Sequence, residues 1–136
     1  MATWLLKTEP STYGFDDLLR DGRSRWDGVT NPVALRNLRV AKPGDAVVIY
    51  HTGDEKAAVG LAEVVRAAYA DPDRDDERLV VIDIAAKERL GRPVTLAIFK
   101  ANPAFSDSPL VRQGRLSVVP LTDVQFRELC RLAGGG

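Results

Sequence analysis

Cysteine and histidine are nearly missing from this chain: Cys130 and His51 are the only ones among 136 residues. A single cysteine excludes an intrachain disulfide, and one Cys with one His cannot supply the four ligands of a structural zinc site. Neither a metal nor a cofactor is expected. Excess charge of one sign is also missing, since 19 Lys+Arg balance 19 Asp+Glu. Bulk charge therefore gives no strong non-specific pull on nucleic acid, although a local basic patch remains open. Long apolar runs are absent too. None approaches the roughly 20 residues of a membrane span, and Trp4–Leu6 is too short for a signal-peptide core. These absences point to a reducing, cytoplasmic setting and no membrane partner. Finally, the chain has no P-loop, no G-x-G-x-x-G and no G-x-S-x-G, the spacings that carry nucleotide binding and hydrolase nucleophiles.

What is present reads as a single domain over residues 1–136, with 45% hydrophobic residues, enough to bury a core. Thr3–Lys7 reads as a strand, broken by Glu9-Pro10-Ser11-Thr12. GFDDLLRDG (14–22) reads as a short helix, with Gly14 as its cap, Asp16 and Asp17 at its positive end and Gly22 as its stop. Ser24–Pro32 (SRWDGVTNP) reads as loop, and Asn31-Pro32 opens a second short helix. After the Lys42–Asp45 turn come three β-branched runs: 46–52, 57–69 and 78–90. A hairpin turn at 53–56 joins the first two, a charged loop at 71–77 the next pair, and a turn at Gly91-Arg92-Pro93 ends them. Gly60 within the second run predicts a bulge or a close backbone approach. A short helix from Thr95, an irregular stretch over Pro103–Pro109 and an extended 116–121 follow. Thr122 and Gln125 form a capping box for a last helix with Val124, Phe126, Leu129 and Leu132 or Ala133 as its apolar stripe, ended by Gly134–Gly136. Strands joined by short turns exclude a doubly wound βαβ fold. The pattern predicts an α+β class: a small curled mixed or antiparallel β-barrel with short flanking helices and a C-terminal helix.

No residue set reads as catalytic. His51 ends a strand without a neighbouring carboxylate motif, so a core histidine or a ligand contact competes with a general base. Cys130 reads as a small buried side chain. Asp16–Asp17 suits a helix start, and Asp75–Asp76–Glu77 suits a solvated loop. Binding is better supported. Trp26 lacks periodic apolar neighbours, and local sequence leaves two readings open: a lid on the core, or a stacking platform beside polar Arg25, Asp27 and the permissive Gly28. Lys7, Thr8 and Glu9 close one strand, Tyr50 and His51 another, and Arg112, Gln113, Arg115 and Ser117 flank a third. Strand ends meeting at one mouth would make a polar-rimmed pocket.

WLLKTEP (4–10), FDDL (15–18), RWDGVTN (25–31), YHT (50–52) with GLAEVV (60–65), AYADP (68–72) and VRQGRLSVVPL (111–121), in this order, resemble the EVE domain family. The resemblance covers nearly the whole chain. It implies a PUA-like fold, distantly related to YTH domains, and a non-enzymatic reader of a modified base in DNA or RNA. Carried over, Trp26 is the pocket wall that stacks on an extruded base, and Asp27 is the polar residue beside it. Lys7, Thr8, Glu9, Gly28, Val29 and Asn31 line or rim the site, and Tyr50, His51, Arg112, Arg115 and Ser117 complete it or hold the nucleic-acid backbone. The partner is then modified DNA or RNA, or a free modified nucleoside, and the protein a monomer or weak dimer. The reading from another class is a binder of, or small enzyme acting on, a free nucleotide-like planar metabolite. The sequence departs from the family pattern at Thr30, Val33 and Leu35, where Arg, Gln and Arg are usual; Arg36 and Arg39 on the same short helix are the candidate substitutes.

Overall fold

The computed structural model describes residues 1–134. Thr3–Thr8 forms β1 and Arg23–Trp26 forms β2; the β-branched runs become β3 (Ala46–His51), β4 (Ala57–Ala70) and β5 (Val80–Thr95), and Val118–Leu121 is β6. They pair into one six-stranded mixed sheet in the order β2-β5-β4-β3-β1-β6. β3, β4 and β5 are the antiparallel meander that the short turns require. β1 instead lies parallel to β3 and antiparallel to β6, so the first strand is clasped by elements distant in sequence. β4 and β5 lose register at several points, and such bulges bend a sheet. The hydrogen-bonding order leaves β2 and β6 as edges, so the expected curl is achieved without a closed ladder.

Local chemistry explains most helices. α1 (Pro10–Tyr13) starts where the Glu9 carboxylate accepts from the Ser11 N–H, with Pro10 at the first helical position. α2 (Phe15–Asp21) begins at Gly14, whose N–H donates to Asp17 at 2.7 Å, and stops at Gly22, where φ is +76°. The Asn31 side chain accepts from the Val33 and Ala34 N–H groups to open α3 (Pro32–Val40). Thr95 caps α4 (Leu96–Ala101), Ser108 caps α5 (Pro109–Arg112), and the Thr122–Gln125 capping box opens α6 (Asp123–Leu132). No described helix is long and apolar enough to cross a membrane.

Five expectations are corrected. The Ser24–Pro32 stretch is not all loop, because residues 23–26 pair with Ile82–Ala85 of β5 as an edge strand. Glu9–Thr12 does not merely break β1; it builds α1. Gly91-Arg92-Pro93 is not a turn: β5 runs on until Val94 and Thr95 face Ala58 and Ala57. The irregular 103–109 stretch contains a 3-10 turn at Pro103–Phe105 and the start of α5. Val124 is not in the core stripe of α6; it is 60% exposed, while Gln125, Leu129 and Ala133 are buried. The expected end of α6 at Gly134–Gly136 falls partly outside the described residues: α6 ends at Leu132, Gly134 has φ +83°, and Gly135 and Gly136 are not described.

The core gathers Leu5, Leu6, Phe15, Ile49, Ile82, Ile84, Phe99, Phe105 and Leu129, all 1% exposed or less. Gly60 is the predicted close approach. A Cβ there would lie 2.4 Å from the Phe15 ring, and the β4–β5 pairing skips a residue beside it. The absent side chain lets α2 settle on the sheet, which in turn fixes α1 and the end of β1.

Candidate functional site

β1 emerges from the sheet at Lys7 and Thr8. The Lys7 N–H donates to Ser117 O at 3.0 Å, joining the approach to β6 to this strand end. The Thr8 hydroxyl donates to Tyr13 O at 2.6 Å, pinning the last turn of α1 beside it. Across from these lies β2, ending at Trp26, followed by Asp27, Gly28 and Val29. The space between is a cavity of about 720 Å³, within the roughly 300–1,000 Å³ of small-ligand sites.

Its aromatic corner is Trp26 against Tyr13, ring centroids 6.4 Å apart and planes at 80°, an edge-to-face geometry favoured by ring quadrupoles. Trp26 is only 7% exposed and belongs to the core cluster, so it is a wall of the core and of the cavity at once. Its indole N–H has no acceptor among the described residues. No buried side-chain polar atom among them lacks a partner, so this N–H reaches solvent. Ser24 and Trp26 alternate with Arg23 and Arg25 along β2, as a strand requires.

The polar side is set by burial. Lys7 is half-buried, and burial lowers its ammonium pKa. Its Nζ donates to Gly114 O at 2.9 Å and sits 5.6 Å from the centre of the Tyr50 ring. Burial raises the Tyr13 hydroxyl; a hydrogen bond with Ser24 opposes this and the neighbouring Asp21 carboxylate, 2.8 Å from the hydroxyl, adds to it. Gly28 has φ +79° with open space where a Cβ would stand. Glycine serves the backbone turn there rather than a close contact.

Of the residues expected from sequence, Lys7, Thr8, Trp26, Asp27, Gly28, Val29 and Ser117 line this cavity. The others lie outside it. Glu9 caps α1. Asn31 caps α3 and shares a separate shallow hollow with Arg115. Tyr50 lies 3% exposed beneath Lys7. His51 is buried, its Nε2 accepting from the Phe15 N–H at 3.0 Å and its Nδ1 2.6 Å from Glu55. Arg112 donates to Ser106 O at 2.8 Å. Arg39 lines a third hollow with Thr30, Leu35, Asp76 and Arg78, so it does not bring a cation to the main cavity, and Arg36 does not line it either. Sequence reasoning missed Thr12, Tyr13, Arg23 and Ser24 as lining residues and left Arg25 as a mere neighbour of Trp26. The Glu9-Pro10 pair is a helix-start signal that would have exposed α1 and hence Tyr13. Nothing local marks Arg23–Trp26 as a strand.

Cys130 lies half-buried on α6, and burial pushes its thiol up, away from nucleophilic thiolate character. Among the described residues no group of three or more His, Cys, Asp or Glu could hold a metal ion.

A model of the EVE domain matches residues 2–132. Thymocyte nuclear protein 1 of Danio rerio is 28% identical over 90% of this chain and 68% of its own length. The same protein of Gallus gallus is 28% identical over 98% of this chain, which spans about half (55%) of that protein. Among solved structures, an Agrobacterium tumefaciens protein superposes with a TM-score of 0.95 at 34% identity, covering 98% of this chain and 94% of that one. Human THYN1, in complex with DNA containing 5-methylcytosine, superposes at 0.90 with 25% identity, covering 98% of each chain. The fold is thus the PUA-like α+β arrangement.

Proposed function

Because this chain belongs to the EVE domain family, we propose that it is a non-enzymatic module that reads a modified nucleobase of DNA or RNA in the Trp26–Tyr13 cavity. The observation that carries this is the pairing, in one cavity, of an aromatic corner with Lys7, Thr8, Ser24 and Ser117. A flat base sits against the aromatic corner while these polar groups and the Trp26 N–H read its edge. Extruding a base costs a few kcal/mol, and aromatic contact returns about 1–3 kcal/mol per base, so the polar contacts decide which base stays. The DNA with 5-methylcytosine held by human THYN1 supports the same ligand class here. A binding role fits the side chains: Lys7 Nζ and the Thr8 hydroxyl donate to backbone carbonyls, and both ring nitrogens of His51 are engaged elsewhere.

The test is equilibrium binding to single-stranded and duplex oligonucleotides carrying one central cytosine, 5-methylcytosine or other methylated base. At least one modified strand should bind several-fold more tightly than its unmodified counterpart. Tyr13→Ala should reduce that affinity about tenfold while leaving the buried core in place. Equal affinity for every modified and unmodified strand would sink the reading.

A further inference from the structure

β2 separates two concave surfaces. One is the aromatic cavity; the other is a groove of about 440 Å³ on the far side, lined by Arg66, Tyr69 and Asp83, with Arg23, Ser24 and Arg25 shared between the two. The sheet register explains the groove. Arg25 stands opposite Asp83, and Asp83 stands opposite Arg66. These three therefore form one row across β2, β5 and β4, on the face away from the buried Ile82 and Ile84. Arg23, two residues before Arg25, projects from the same face.

The charges in this row are not equally free. Arg25 is held by the acidic loop after β4, with Asp73 at 3.3 Å and Asp71 at 3.8 Å. Asp83 accepts from the Tyr69 hydroxyl at 2.5 Å. Arg66 sits over the Tyr69 ring, its guanidinium carbon 3.7 Å from the ring centre. That stack holds a side chain of otherwise many rotamers. Among the described residues neither Arg66 nor Arg23 has a carboxylate within ion-pair distance, whereas nearby Arg25 and Arg78 do. Arg23 stands on β2, the strand that walls the base cavity, and Arg66 stands two strands across the sheet on β4, so two arginines outside any ion pair flank Asp83 in this groove. Strands are about 4.8 Å apart, so two spacings put β2 and β4 about 10 Å apart, a span that a short run of nucleotide backbone crosses.

We infer that Arg23 and Arg66 form a phosphodiester-binding groove, so that the nucleic-acid strand leaves the base cavity over the β2 edge toward β4. The inference rests on the base-reading proposal for its ligand class. It adds the direction of the strand and the two residues that grip its backbone. Phosphate contacts release counterions and carry no base preference.

The experiment compares wild type, Arg23→Gln/Arg66→Gln and the surface control Arg127→Gln, with circular dichroism and urea unfolding to confirm the fold. Fluorescence anisotropy is read with a 12-nucleotide single strand carrying one central 5-methylcytosine, its cytosine counterpart, and free 5-methyldeoxycytidine by competition, across a salt series. The double variant should lose about 0.7 in the slope of log affinity against log salt for each arginine, and about fivefold in affinity per arginine at 0.1 M salt, equally for both strands. Free nucleoside should bind wild type and double variant alike, and Arg127→Gln should match wild type. If strands lose affinity but neither is preferred, the groove stands and the reading of 5-methylcytosine falls. If the modified strand is preferred and the double variant keeps the wild-type slope, the groove falls and base reading stands. Absence of strand binding by wild type overturns the groove outright.

Discussion

Trp4 and Trp26 are equally buried, at 6% and 7% exposed, yet they do different work. Trp4 is the second residue of β1 and donates its indole N–H to Asp45 at 3.0 Å. The same carboxylate accepts from the Lys42 N–H at 2.8 Å and the Ala2 N–H at 3.1 Å. That corner is closed: every donor it gathers has an acceptor. Trp26 also packs on the core, but its N–H has no protein acceptor among the described residues and its neighbours frame a cavity. Burial alone therefore does not separate a structural tryptophan from a ligand-facing one. The hydrogen-bond inventory does, because an open donor beside a cavity is stable only where solvent or a ligand can reach it.

The largest break in this contrast comes from the closed corner. Asp45→Ala leaves the Trp4 indole and two backbone N–H groups without their acceptor, and should cost about 3 kcal/mol in urea unfolding with the modified-base affinity of the folded fraction unchanged. Gly60→Ala acts on the open corner through its support. The new methyl group meets the Phe15 ring, so overpacking should cost about 1–3 kcal/mol. It should also weaken binding, since α2 displaces α1 and carries Tyr13 away from Trp26.

Acid titration sharpens the comparison further. Burial pushes the Asp45 carboxyl up, but the hydrogen bonds from Lys42, Trp4 and Ala2 and the nearby N-terminal charge outweigh it and leave it below its ordinary 3.8. A carboxyl depressed in the folded state contributes stability that is fully present above the unfolded value and is lost as pH falls through the folded one. Stability of the wild type should therefore drop below about pH 3.8 more steeply than that of Asp45→Asn, measured by unfolding at pH 7, 4 and 3. The smallest structural effect belongs to Trp26→Phe. It should cost less than about 1.5 kcal/mol in unfolding, yet reduce affinity for the modified strand about five- to tenfold, the equivalent of one hydrogen bond of about 1–1.4 kcal/mol. Trp4→Phe should show the reverse: the larger stability loss and no change in affinity.

The legible parts of the fold were those governed by local chemistry. β-branched runs between turn residues marked the β3–β5 meander, and side-chain caps at Asn31 and Thr122 marked α3 and α6. Gly60 announced a close approach without saying that Phe15 makes it. The illegible parts depend on partners far away. Arg-Ser-Arg-Trp carries no strand pattern of its own and becomes β2 because β5 offers Ile82–Ala85 as a hydrogen-bonding edge. Gly91-Arg92-Pro93 looks like a turn in isolation and is extended because Val94 and Thr95 pair back to β4. For the candidate site, the ordered family motifs pointed to Lys7, Thr8 and the 26–29 segment, which share the cavity. They also drew in His51, at the end of β3, and Arg112, at the end of α5, whose side chains the tertiary structure engages elsewhere.

By itself, then, the sequence determined the helix caps, the turns, the antiparallel meander and the family to which the chain belongs, since each is written in residues adjacent to one another or in a fixed order. Tertiary structure decided that Tyr13 meets Trp26, that Arg25, Asp83 and Arg66 stand in one row, and that one tryptophan is closed and the other open. Those relations join strands whose pairing is set by long-range register and by burial of a shared core, quantities that no local window of sequence contains.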